Sequence, residues 1–572
     1  MSTNHSHPQS SGHGISRRSF VAGASIAVPL AIFAPAGASA VPGGTRRPVP
    51  RIAAASGATS TYAHPGLVHT LSDLERASAQ VAGGAEPWAG GWGRLVANGR
   101  SSAGWSPRPV ETVIRGGDGS NYGPLFLDIH AAYQNALRWH ISGEEAHGAT
   151  AVRILNAWSA TLKTVTGNAD RFLAAGIYGY QFANAAELVR DRPDFEFERF
   201  REMLLGIFHP MNEHFLTNHN GAVITNYWAN WDLCNMASIL AIGIFADRDD
   251  LVDRAVEYFH NGAGNGSLPH AVPFVYDDQG LAQWQESGRD QAHSIMGIGL
   301  MGAFCEMAWN QGIDCYGVDD NRFLKGAEYV AKYNLGHDVP FTPYTWQSGP
   351  STTASHAGWQ THTVPSPSAR GQGRPVWDQV LGHYSGRMGL DTPWVAQIAE
   401  SLRPDGGGGD YGPNSGGYDQ LGFGTLMQYP AETGRRVVRL QSFNYPERYV
   451  RHSGTAVRID PTASPLGDSQ FRVVPGLAGT ADGRVSFESV DAPGHFLRHA
   501  SYRLGLVRND GSAQFAADAT FLPVAGLAHS RLTSFRAHNF ADRYLRHYAY
   551  GLRLDPVSTD LARADATFRM VD

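Results

Sequence analysis

From about residue 67 to residue 427, apolar positions recur every three to four residues, the period of helices that bury one stripe. The pattern predicts helices over 125–140, 149–165, 171–189, 195–215, 227–245, 251–260, 290–309 and 322–333. Asp191-Arg-Pro-Asp, Asp247-Arg-Asp-Asp and Gly317-Val-Asp-Asp separate these runs. They supply turn and N-cap chemistry, so the helices pair as hairpins. Several are apolar around most of their circumference and need neighbours on both sides, as inner helices surrounded by outer ones have. The fold class expected for 63–430 is therefore all-α, hairpins closing into a double-layered ring or (α/α) toroid. Residues 340–375 and 406–417 lack periodicity and read as long loops around a cleft.

The last 135 or so residues change to short strands with Gly, Pro and Asn turns. Here Ser442-Phe-Asn-Tyr-Pro-Glu-Arg-Tyr-Val-Arg-His452 recurs as Ser489-Val-Asp-Ala-Pro-Gly-His-Phe-Leu-Arg-His499 and Ser534-Phe-Arg-Ala-His-Asn-Phe-Ala-Asp-Arg-Tyr-Leu-Arg-His547, the closing histidines 47 and 48 residues apart. Each copy is followed by an acidic residue before a strand, at Asp468, Asp518 and Asp565. Three copies, each too small to bury a core alone, predict an all-β β-trefoil over 436–572. The repeats resemble the arabinofuranosidase B-type (AbfB) carbohydrate-binding domain. That resemblance implies sugar pockets lined by His452, His499 and His547 with Asp468, Asp518 and Asp565, taking an arabinose-containing or related glycan. Asp-Ser-Gln in the first copy replaces Asp-Ala-Thr, which makes its pocket the one expected to have drifted. A purely structural role, with His and Asp tying the corners of the repeats, is the alternative.

A chain of 572 residues, 42% apolar, is long enough for two well-buried domains, and a net charge of −6 leaves no large basic footprint for nucleic acid. Ser16-Arg17-Arg18-Ser19-Phe20 precedes a short apolar run ending in Ala38-Ser39-Ala40, the order of a twin-arginine export signal over 1–40, followed by a linker over 41–62. The expected location is extracellular, and no other stretch is long and apolar enough to span a membrane. Cys234, Cys305 and Cys315 have neither zinc spacing nor a disulfide framework and read as buried thiols. No metal cluster, phosphate loop or nucleotide fingerprint is apparent, so no cofactor is expected.

Two polar and aromatic stretches interrupt the apolar helices, Thr225-Asn-Tyr-Trp-Ala-Asn-Trp-Asp232 and Gln285-Glu-Ser-Gly-Arg-Asp-Gln-Ala-His293. Helical spacing would set Asn226 and Asn230 on one face, and Gln285, Arg289 and His293 on another. With Asp247-Arg-Asp-Asp-Leu and Gly266-Ser-Leu-Pro in order between them, the region 218–334 resembles the alginate lyase superfamily of polysaccharide lyases. The resemblance implies β-elimination on a uronate polymer of the alginate or glucuronan type. The proton beside a uronate carboxylate is barely acidic, so fixed donors must neutralise that carboxylate before a base removes it. By resemblance Asn226 and Arg289 do so, and Arg suits the task because its planar fork meets a carboxylate with two hydrogen bonds. Where relatives carry a Tyr four residues after the Arg, this chain has His293. Proton transfer therefore falls to His293 or to a tyrosine elsewhere, Tyr180 being favoured over Tyr178. His219, Tyr227, Trp228, Asn230 and Gln285 complete the expected substrate contacts. Asp232 and Glu286 keep a glycoside hydrolase acting on arabinose-containing polymers open as an alternative; against it, Arg289 should hold Glu286 ionised, and Asp232 reads as a helix-junction anchor. A catalytically inactive sugar-binding protein is the third reading.

Overall fold

The computed structural model describes residues 62–411, 417–430, 436–461, 466–479 and 483–571. The expected export signal and nearly all of the linker lie outside the described residues.

The apolar runs form eight helices that matter for the site: α1 (Gly123–Ser142), α2 (Glu145–Thr161), α3 (Arg171–Glu187), α4 (His209–Asn218), α5 (Ala229–Phe245), α6 (Asp249–Asn261), α7 (Gln291–Trp309) and α8 (Val318–Asn334). Their burial sorts them into two layers. Every residue of α5 except Trp231 is buried, whereas α6 buries one stripe of Leu251, Val252, Ala255, Tyr258 and Phe259. Helices α1, α3, α5 and α7 pack side by side, and α2, α6 and α8 back α1, α5 and α7 respectively. Close approach within the inner layer depends on glycine. A Cβ at Gly176 or Gly179 of α3 would meet Cys234 Sγ at 2.4 Å or Ser238 Oγ at 2.1 Å on α5. Because the hairpins alternate direction, the inner helices run parallel and their N-termini gather at one end of the layer, where their dipoles favour negative charge.

Away from the two polar stretches, the observed elements depart from the sequence pattern as follows. The run 149–165 stops as a helix at Thr161, and Thr164–Thr166 pairs instead with Thr112–Ile114 as a short parallel strand. The run 195–215 contains a π-helical segment, Leu204–Phe208. The region 340–375 contains an antiparallel hairpin, Tyr344–Gln347 with Trp359–His362.

The C-terminal region is all-β, with twelve strands in one sheet that closes where Phe471 pairs with Val438. Each sequence repeat supplies a hairpin: Tyr449–Ser453 with Ala456–Asp460, His495–Ala500 with Arg503–Arg508, and Tyr544–Tyr548 with Gly551–Asp555. The three hairpins pair with one another through Gly505 and Ala456, Gly551 and Arg458, and Arg503 and Arg553. Phe471, Phe487, Phe521, Phe535 and Phe568 fill the interior. Arg569 donates to Gln311 Oε1 (2.7 Å), tying this region to the turn after α7. No helix among the described residues is long and apolar enough to cross a membrane.

One buried carboxylate couples stability to pH. Glu328 on α8 accepts the first amides of the Pro393–Leu402 helix, from Trp394 (3.0 Å) and Val395 (2.9 Å). Burial outweighs those bonds and pushes its carboxyl up to about 7. The folded state then keeps a proton that the unfolded chain has released, so stability falls as pH rises from the ordinary carboxylate range to 7, by up to about 3 kcal/mol. Glu328→Gln should flatten that slope, read as melting temperature against pH for variant and parent.

Candidate functional site

The first polar stretch is not helical where the spacing suggested. Helix α5 begins at Ala229, with Trp228 as its N-cap, because the Ala229 N–H is taken by Gln285 Oε1 (3.1 Å) from the second stretch. Asn226 therefore lies in the preceding turn, off the face that carries Asn230. Its Oδ1 accepts the Gly349 N–H (2.7 Å) from the hairpin region, and its Nδ2 has no partner among the described residues. Asn230 is buried and turns toward Met296 on α7, Nδ2 to Sδ 3.9 Å. Gln285 is buried too, its Nε2 donating to the Tyr344 hydroxyl (3.0 Å). Gln285 braces the wall, whereas Asn230 Oδ1 is buried without a hydrogen-bond partner among the described residues; both lie beneath the surface on which open substrate contacts were expected. His219 is likewise enclosed, as its Nε2 and the Tyr258 hydroxyl converge on Asp232 Oδ1 at 2.8 and 2.6 Å. That trio anchors the helix junction and engages His219 Nε2 there. Tyr227 packs on Trp231 (4.6 Å) and accepts from Asn220 Nδ2 (3.0 Å).

The second stretch also precedes its helix. Asp290 N-caps α7, accepting the His293 N–H, so Gln285, Arg289 and His293 do not form a helical series. Arg289 and His293 nevertheless meet. The Arg289 guanidinium lies over Trp228, 5.2 Å from the ring centroid. Its Nη1 donates to Glu286 Oε1 (2.8 Å) and its Nη2 to His293 Nε2 (3.1 Å). His293 Nδ1 lies 2.8 Å from Asp290 Oδ2. A carboxylate only accepts and a guanidinium only donates, so this arrangement fixes the tautomer with the proton on Nδ1 and the lone pair on Nε2. Burial raises Asp290, yet the His293 bonds and the Arg289 charge prevail and hold its carboxyl below the usual range. Glu286 behaves otherwise than expected: it is completely buried, one oxygen has no partner, and burial outweighs Arg289 and pushes its carboxyl up. Arg289 and His293 keep 24% and 36% of their side chains exposed, which makes them the accessible members of this group.

The hairpin completes the wall. Trp228 packs against Trp346 (4.9 Å) and lies parallel to His362 (5.7 Å, 8°). Gly288 has no room for a side chain, since a Cβ there would meet His362 Cβ at 2.5 Å. Tyr180 does not join this surface. It is 1% exposed, its hydroxyl donates to the Asp419 carbonyl (2.8 Å), and burial raises its pKa further above the ordinary value. Tyr178 is equally enclosed, its hydroxyl donating to the Gly417 carbonyl (3.0 Å) and accepting from Arg115 Nη1 (3.4 Å).

In the β region each repeat histidine reaches the next repeat. His499 Nε2 bonds Asn539 Oδ1 (3.0 Å), and Asn539 Nδ2 donates to Asp518 (2.8 Å). His547, Asn444 and Asp565 form the same chain at 3.0 and 2.7 Å. In the first copy Asp491 takes the asparagine's place. It accepts from His452 (2.9 Å) and has no hydrogen to offer Asp468. Two of the three pockets also carry paired aromatics, Tyr445 with Tyr550 (5.6 Å) and Phe540 with Tyr502 (5.1 Å), where the first has Ala492 and Thr455. Tyr502 and Tyr550 are held at φ +65° and +66°, a left-handed conformation that bulky residues rarely adopt and that concentrates at functional positions. Among the described residues, His452, Asp468 and Asp491 bring ligand atoms within 4.8 Å of one another, a grouping invisible in linear spacing. The three cysteines are buried free thiols.

Residues 125–339 match the family model described as alginate lyase, and residues 432–570 match that of the alpha-L-arabinofuranosidase B (AbfB) domain. The chain thus joins a region similar to the alginate lyase family to one similar to the AbfB domain. The AbfB domain is 49% identical over 140 residues to an extracellular exo-alpha-(1->5)-L-arabinofuranosidase of Streptomyces avermitilis, covering 24% of this chain and 29% of that protein. It is 37% identical over 133 residues to alpha-L-arabinofuranosidase B of Emericella nidulans, covering 22% and 26%. The chain thus spans under a third of these relatives' length. An alginate lyase structure from Bacteroides ovatus aligns at 14% identity and TM-score 0.37, covering 48% of this chain and 84% of that one.

Beside the cleft, beyond the residues matched by the alginate lyase model, sequence reading missed Trp346, His362 and Tyr344, because a short hairpin inside a long aperiodic stretch leaves no helical or extended alternation. In the AbfB domain it missed Asn444, Asp491 and Asn539, although each stands eight residues before its repeat histidine. Gln285→Ala should leave the Ala229 N–H buried and unpaired and destabilise the fold by about 1–3 kcal/mol. Urea unfolding measures the loss, and amide hydrogen exchange at Ala229 locates it.

Proposed function

We propose that the alginate lyase region cleaves a uronate polysaccharide by β-elimination, with Arg289 and Asn226 neutralising the substrate carboxylate and His293 moving the proton. The observation that carries this reading is the Arg289–His293–Asp290 group: a partly exposed guanidinium on a tryptophan face, beside an imidazole whose Nε2 lone pair is oriented by a carboxylate behind it. Asn226 Nδ2, two residues from Trp228, supplies a second donor. In the free protein Arg289 occupies His293 Nε2. A uronate carboxylate competing for the guanidinium frees that lone pair, so substrate binding itself exposes the base. His293 Nε2 then takes the C5 proton, the C–H electrons form the C4–C5 double bond, and the C4–O bond breaks. The imidazolium returns the proton to the departing glycosidic oxygen, so one group serves both steps and no water is consumed.

Against hydrolysis by paired carboxylates stands the geometry of Asp232, which is completely buried in its junction, and of Glu286, sealed beneath Arg289. The AbfB region is read as a β-trefoil that holds the enzyme on arabinose-containing or related glycan. Its two aromatic-walled pockets, around His499 and His547, carry the binding, and the His452 pocket does not. Export through the twin-arginine route accords with a polymer substrate outside the cell.

Arg289→Ala should lower kcat/KM on glucuronan or alginate about 10²–10³-fold with circular dichroism unchanged, followed by ultraviolet absorbance of the unsaturated uronate product. Parental turnover in that variant would remove Arg289 from the chemistry, and new reducing ends without the chromophore would point to hydrolysis. For the AbfB region, Asp518→Ala combined with Asp565→Ala should abolish retardation in gels containing arabinan, while Asp468→Ala leaves it intact.

A further inference from the structure

We infer that a basic groove on the outside of the helical layer is an accessory subsite for a distant stretch of the same anionic polysaccharide. The groove has a volume of about 480 Å³ and lies between the Thr164–Thr166 strand, the start of α3, and the π-helical segment with the first half of α4. Lys163 and Arg171 supply its cationic groups, His214 an imidazole, Thr164 and Thr166 its hydroxyls, and no carboxylate lines it. These basic groups are not spent on ion pairs among the described residues. Arg171 donates only to neutral oxygens, the carbonyls of Gly167 and Asn168 and Asn220 Oδ1 (3.0 Å). His214 shares a weak contact with Asn218 (3.4 Å). The neighbouring acid on α4, Glu213, is held by Arg254 at 3.1 Å.

The groove offers a sugar more than charge. The exposed His214 ring lies parallel to Phe172 (5.6 Å, 7°), so one of its faces is backed by an aromatic ring and the other is open, a platform for the apolar face of a sugar. Arg171 covers Phe172 at 4.4 Å. A uronate unit, with a carboxylate, hydroxyls and one apolar face, matches all three kinds of group.

Position links the groove to the catalytic wall. It lies at the end of the layer where the inner helices begin. Arg171 bonds Asn220, Asn220 bonds Tyr227, and Tyr227 adjoins Trp228. A polymer crossing Trp228 and Arg289 can continue past this relay to His214 and Lys163. Long chains then gain a contact that short oligomers cannot reach, and the gain is electrostatic and weakened by salt.

This inference rests on the uronate reading of the cleft, and the test separates the two. Full-length protein carrying Lys163→Glu with His214→Ala is compared with parent in native gels containing polyglucuronate or alginate, and in gels containing neutral arabinan. Loss of retardation in the polyuronate gels alone supports the subsite. Unchanged mobility there, or equal loss in both gel types, overturns it. In kinetics the double variant should raise KM for the long polymer about fivefold at low salt, converging on the parent at high salt, with turnover of a tetrasaccharide held. A polymer KM that does not move overturns the subsite, whereas absence of unsaturated product from the parent overturns the cleavage reading and leaves the gel result to judge the groove.

Discussion

The site depends on one arrangement: a guanidinium suspended between a fully buried carboxylate below and an indole face beside it. Glu286 has no water to solvate it, and burial pushes its carboxyl up even with Arg289 at 2.8 Å. The pair is thus weak as a stabilising ion pair, and its value lies in position. It holds Arg289 at the head of α7 with its charge facing outward, while Asp290 caps the helix and orients His293 in the same turn. Trp228 fixes the other side, and it can do so because Gln285 dictates where α5 begins. One hydrogen bond and one guanidinium–indole contact between two irregular stretches therefore position Arg289 and His293 on the wall.

Much of the architecture was legible in periodicity. The inner helices announce themselves as runs apolar on all sides, and the outer ones as single stripes, because burial on both faces or one leaves that signature directly in composition. What the pattern could not give is where a helix starts. Asn226 and Asn230 are four residues apart, yet only one is helical, since the boundary is decided by a side chain nearly sixty residues away. The same blindness turned Gln285 and His219 into expected ligand contacts when both are consumed by neighbours. Polar residues inside apolar sequence mark either a site or a junction, and only three-dimensional partners tell these apart. Arg289 and His293, with Asn226 and Trp228, separate from His219, Asn230 and Gln285 by keeping part of their surface exposed.

The AbfB domain carries its own internal comparison. Three copies of one sequence fold to the same hairpins, so differences among them stand out against a common frame. Two copies keep an asparagine that accepts from the histidine and donates to the aspartate, a flanking aromatic, and a tyrosine in a costly backbone conformation. The first keeps none of these, and the exchange of amide for carboxylate removes the donor on which its chain of hydrogen bonds would depend.

The handing-on of each histidine to the following copy has a consequence for how such a module can grow or shrink. Every hydrogen-bonded cluster is a joint between successive units, and the last joint is closed by the first unit, Asn444 completing what His547 begins. A solitary copy would thus own no finished cluster, and two would own one. Duplication of a single ancestral unit could complete such a cluster only through self-association or fusion, so that circular closure and the clusters arise together.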